Sequence, residues 1–150
     1  HMNPPADAVE EKNGKYRLSN GNYCEKTMYF YVLALTDGEV RKAVIAMRSS
    51  NLTPGRELNN LIQNLRAEDA KGSFRPAAYA AVFNLKTAGK SWGDKNWHVY
   101  KPSKVRMLDL SNNADLDIYE TAKKLQEEAF KGSARPKYEK VDSTKSQDII

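Results

Sequence analysis

The residues that could do chemistry are few, and their spacing argues against catalysis. His98 is the only histidine besides His1, and no serine or cysteine near it in the chain would serve as a nucleophile for an oriented base. The paired carboxylates Asp115/Asp117 and Glu127/Glu128 fall in a stretch with helical periodicity, where acids at the start and on the outer face are ordinary. No phosphate-cradling or dinucleotide motif occurs. Cys24 stands alone, so an internal disulfide is excluded, and it reads as a packed thiol with only Lys26 beside it to favour the thiolate. These inventories point to a protein that is not an enzyme and needs no metal or cofactor.

A second set of residues suits binding instead. Tyr23, Tyr29, Tyr31, Trp92 and Tyr100 are interleaved with Arg41, Lys42, Arg48, Lys86, Lys90 and Lys95. Planar rings stack on unpaired bases, at about 1 to 3 kcal/mol each, while cations follow the phosphates. Charge is distributed accordingly. Residues 14–110 carry 16 Lys/Arg against 8 Asp/Glu, although the whole chain is only +5. A basic middle region of this kind fits a polyanionic partner.

The elements that must position these residues follow from periodicity and turn chemistry. His1-Met2 has the look of a tag remnant, and residues 1–13 combine prolines with charge, which predicts a flexible arm. Residues 14–132 read as one domain. Tyr16–Leu18 is a short first strand. Lys26–Thr36 is a second, apolar on both faces, with Met28, Phe30 and Val32 assigned to the core. Asp37-Gly38 is a hairpin turn leading to a third strand, Val40–Arg48, whose Ala43, Ile45 and Met47 face inward. Thr53-Pro54 starts a helix, with Thr53 able to cap it and Leu58, Leu61, Ile62 and Leu65 along one side. A polar loop over 67–75 precedes a fourth strand, Tyr79–Lys86, and Trp97–Lys101 is the fifth. The segment 88–96 between them is glycine-rich and basic and reads as a loop bearing Trp92. Trp97 is in phase with Val99 and reads as core, which leaves His98 and Tyr100 outward. A second helix covers 115–131, stopped by Gly132. Residues 133–150 read as a flexible polar tail.

The order strand, strand, strand, helix, strand, strand matches a five-stranded OB-type barrel, a mainly β fold with the helix between strands three and four and a further C-terminal helix. Such a barrel binds on strands two and three and on the loops joining strands one to two and four to five, where the rings and cations above coincide. Residues 14–110 also resemble the small single-stranded-DNA-binding proteins of bacteriophages. The likeness lies in Ser19-Asn20-Gly21-Asn22-Tyr23-Cys24-Glu25-Lys26, in Met47-Arg48-Ser49-Ser50-Asn51-Leu52, and in Trp92-Gly93 to Asn96-Trp97. The resemblance implies sequence-tolerant coating of DNA during phage replication or recombination in the host cytoplasm, without cofactor, often by oligomers, with replication proteins recruited through an acidic C-terminal tail. This chain departs from that pattern, ending Ser146-Gln147-Asp148-Ile149-Ile150 with one acid.

Other readings stay open at this stage. Trp92 could cap the barrel mouth, Arg41, Lys42 and Lys104 could form a solvated rim, and Tyr29 with Tyr31 could mark a dimer interface. RNA could replace DNA, since stacking and phosphate contacts do not report a 2′-hydroxyl. The alternative class is a protein-interaction module, a phage inhibitor or assembly factor docking on a host protein. No stretch approaches the ~18 consecutive apolar residues of a membrane-spanning helix.

Overall fold

The described backbone ladders are antiparallel and join strands that are neighbours in the sequence. The computed structural model describes residues 4–11, 15–36 and 38–132; the expected tail at 133–150 lies outside them. β1 (Val9–Glu10), β2 (Lys15–Arg17) and β3 (Tyr23–Glu25) form a three-stranded sheet in that order. Part of the expected arm is therefore paired, with Val9 opposite Arg17, and Asp7 accepts from the Ser19 N–H at 3.1 Å.

β4 (Thr27–Thr36) and β5 (Glu39–Arg48) make a ten-residue hairpin. Its register runs from Thr27 opposite Arg48 to Thr36 opposite Glu39. Gly38 in the turn has φ 78°, a conformation that favours glycine. Met28, Phe30 and Val32 share one face with Ala43, Ile45 and Met47, the faces expected from alternation, and Met47 is completely buried.

α1 (Leu52–Gln63) packs on this face and on the β8–β9 hairpin described below. It buries Leu52, Pro54, Gly55 and Leu58. Gly55 marks the closest crossing: a Cβ there would sit 3.1 Å from Met28 Sδ and 3.3 Å from Met47 Sδ. Thr53 does not cap the helix. Asn51 occupies that position, and its side-chain oxygen instead accepts from the Tyr100 N–H at 2.8 Å, tying the helix start to a neighbouring strand.

The segment 67–75 is not a plain loop. It contains β6 (Ala67–Asp69) and β7 (Gly72–Phe74), joined by a turn in which Asp69 accepts from the Lys71 N–H at 2.7 Å. After a 3-10 turn at Ala78–Ala80 come β8 (Ala81–Trp92) and β9 (Lys95–Met107), the longest strands in the described chain. The glycine-rich segment 88–96 is thus mostly ladder, with Gly93-Asp94 as its turn and φ 56° at Gly93.

α2 (Asn113–Phe130) is capped by Asn112, whose Oδ1 accepts from the Ala114 N–H at 2.9 Å, and it stops at Gly132, φ 70°. Its buried Asp115 accepts from Arg106 Nη2 at 2.8 Å and from the Asp109 N–H at 2.8 Å. The Arg106 guanidinium first, then the Asp109 N–H, hold the Asp115 carboxyl down to about 2. Tyr119 meets Tyr79 edge to face at 5.0 Å, joining α2 to the turn before β8.

The described strands thus form sheets of three, two, two and two strands. No pairing among the described residues joins β4 to β8 or closes a barrel, so the expected five-stranded closure differs from this arrangement. Strand order along a chain does not dictate which edges pair, and here both edges border an apolar cavity of about 780 Å³.

Candidate nucleic-acid interface

The β8–β9 ribbon owes its length to cross-strand pairing that runs unbroken from Phe83 opposite Lys104 to Trp92 opposite Lys95. In an antiparallel ladder opposite residues share a face, and residues two apart along a strand return to it. One face therefore carries four rungs: Lys86 with Lys101, Ala88 with Val99, Lys90 with Trp97, and Trp92 with Lys95. Lysine and tryptophan alternate across the last two rungs, placing the two rings on one diagonal and two ammonium groups on the other.

This face is open to solvent. Trp92 is 77% exposed and Trp97 36% exposed, and all four lysines are exposed. None of these lysines forms an ion pair with a described residue. From Lys86 to Lys101 the only acid is Asp94, in the turn. Trp97 corrects the sequence expectation of a core residue. Its phase with Val99 is as expected, yet the ring is 36% exposed, part covered and part open to solvent.

The other expected contacts lie elsewhere. Tyr100 falls on the opposite face of the ribbon, opposite Thr87, and is half-buried. Tyr29 and Tyr31 are exposed on β4, on the face that also carries Lys42 and Arg48. The cations of that hairpin are engaged by carboxylates of the chain: Arg41 Nε donates to Glu39 at 2.8 Å, Lys42 Nζ meets Glu128 at 2.8 Å, and Arg48 Nε lies 3.9 Å from Glu25. Tyr23 sits on the separate β1–β2–β3 sheet with the Arg17 guanidinium 5.7 Å above its ring.

Of the eleven expected contacts, the structure gathers Lys86, Lys90, Trp92 and Lys95 on one surface and adds Trp97 and Lys101. The signal for the two additions was present in the chain. If Gly93-Asp94 is taken as a two-residue turn, residues 86, 88, 90 and 92 pair with 101, 99, 97 and 95 by alternation alone. Chemically, the surface offers planar rings, and cations without an ion-pair partner among the described residues, on an extended two-stranded ribbon. Among the described residues no group of three or more His, Cys, Asp or Glu could hold a metal ion, and no helix is long and apolar enough to cross a membrane.

A family model described as Pam3 phage gp34-like protein matches residues 3–135. No curated protein and no solved structure matches the chain significantly.

Proposed function

The chain belongs to the family of Pam3 phage gp34-like proteins, and from that premise we propose that it is a non-catalytic protein that binds single-stranded DNA on the lysine- and tryptophan-bearing face of β8–β9. The observation that carries this reading is the exposed checkerboard of Lys90, Trp92, Lys95 and Trp97, extended by Lys86 and Lys101. Both rings present exposed surface to an unpaired base, and the lysines lie about 14 Å apart on β8 and about 20 Å apart on β9. A ribbon that reads rings and phosphates tolerates any sequence, which suits the coating of unwound DNA during phage replication or recombination.

Titration with oligo-dT at two salt concentrations, followed by tryptophan fluorescence, tests it. Quenching with an affinity that falls steeply as salt rises is expected. Unquenched fluorescence at all oligonucleotide concentrations would contradict the reading, and competition with oligo-rU separates DNA from RNA preference.

A further inference from the structure

Two hairpins lie side by side between the helices, and each has one blunted edge and one bare edge. β5 carries Glu39, Arg41, Lys42 and Arg48, and β9 carries Lys95, Lys101, Pro102, Lys104 and Arg106, the charges and proline that keep an edge strand from pairing further. β4 has ten residues, Thr27–Thr36, without a charge, a proline or a glycine. The first five residues of β8, Ala81 to Leu85, are likewise uncharged. The bare strands border the same cavity: residues 29–36 of β4 and 81–85 of β8 line it, with Leu58 of α1 on one side and Ile118 and Leu125 of α2 on the other. None of its lining residues is charged.

A cavity lined by consecutive residues of a strand meets that strand's edge, where alternate N–H and C=O groups point away from the paired neighbour. Among the described residues β4 pairs only with β5 and β8 only with β9. A lipid tail would suit the apolar lining but would leave those backbone groups without hydrogen-bond partners. A peptide strand satisfies both requirements. We propose that this slot receives an extended, uncharged, apolar strand of about five residues from another protein, completing a sheet in the order β5-β4-guest-β8-β9 between α1 and α2.

The chain's own ends do not have this chemistry. Residues 133–150 never run more than two residues without a charge, and the uncharged Asn3–Ala6 contains Pro4 and Pro5, which cannot donate to a ladder. The uncharged ten-residue strand of a second copy is already held in its own hairpin. The proposal is independent of nucleic-acid binding, since the ribbon face lies beyond the residues that line the slot.

The test uses the full chain and a blocked peptide, Lys-Thr-Val-Val-Ile-Val-Thr-Lys, with amide hydrogen exchange read residue by residue. Exchange in β4 between Tyr29 and Leu35 and in β8 between Ala81 and Leu85 is expected to slow about tenfold or more when the peptide binds. A peptide with proline at its centre should give no protection, and Leu35→Lys, at an exposed lining position, should abolish it without unfolding the chain. Protection equal with both peptides would overturn the proposal, as would none with either. So would prior protection of both edges in the peptide-free chain: sedimentation as a dimer would then assign the slot to a second copy, and as a monomer would show β4 and β8 closed on one another.

Discussion

The β4–β5 and β8–β9 hairpins are built from the same materials, long antiparallel ladders bearing aromatic rings and cations, yet they present opposite surfaces. On β4–β5 the cations lie beside Glu39, Glu128 and Glu25, and Met47 on the reverse face is fully buried under α1. On the outer half of β8–β9 the cations have no carboxylate partner among the described residues, and both tryptophans face solvent. One hairpin is therefore chiefly scaffold and the other chiefly surface. A tally of lysines and rings does not separate them; register and the position of the helices do.

The largest effect that would break this contrast is expected at Met47. Met47→Ala removes a fully buried side chain packed at the α1 crossing and should cost about 2 to 5 kcal/mol of stability, read by denaturant unfolding, with oligo-dT affinity of the folded fraction unchanged. A smaller loss is expected at Asp115. Its carboxyl is held to about 2, below the ordinary 3.8, so the stabilisation is present above about pH 4 and fades as pH falls toward 2. Asp115→Asn should flatten the acid limb of the thermal midpoint against pH; an unchanged limb would show that other carboxylates govern it.

At the ribbon the order reverses, with affinity moving and stability not. Trp92→Ala and Trp97→Ala should each cost about 1 to 3 kcal/mol in oligo-dT binding while leaving the salt slope nearly unchanged. If Trp92→Ala lowers the thermal midpoint but not affinity, the ring is a structural cap. The smallest effect, and the one that sharpens the comparison most, is the pair Lys90→Ala and Lys42→Ala. The first should reduce the slope of log K against log salt by about 0.7, whereas the second, already engaged with Glu128, should leave it unchanged.

Much of the scaffold was legible in the chain. The two faces of β4 and β5, the positive φ at Gly38, both helices and the stop at Gly132 follow from alternation, periodicity and glycine chemistry, and they appear where expected. What escaped was set by contacts distant in sequence. Gly89, Lys90 and Ser91 have low strand propensity, and the partner strand holds them extended. β6 and β7 are too short and polar to show alternation. Trp97 lies in the expected phase yet is 36% exposed, so burial could not be inferred from phase alone. The neutralisation of Lys42 by Glu128 joins residues 86 positions apart, beyond any local pattern.

The most direct measurement compares two multiple variants in the same salt-dependent titration with oligo-dT. Replacing Lys86, Lys90, Lys95 and Lys101 by alanine should lower the slope of log K against log salt by about 2.8, four times the value for one phosphate on a single strand. Replacing Arg41, Lys42 and Arg48 should leave the slope as it was. Equal slopes for the ribbon variant and the unaltered chain, or a loss confined to the β4–β5 variant, would contradict the assignment of the interface to β8–β9.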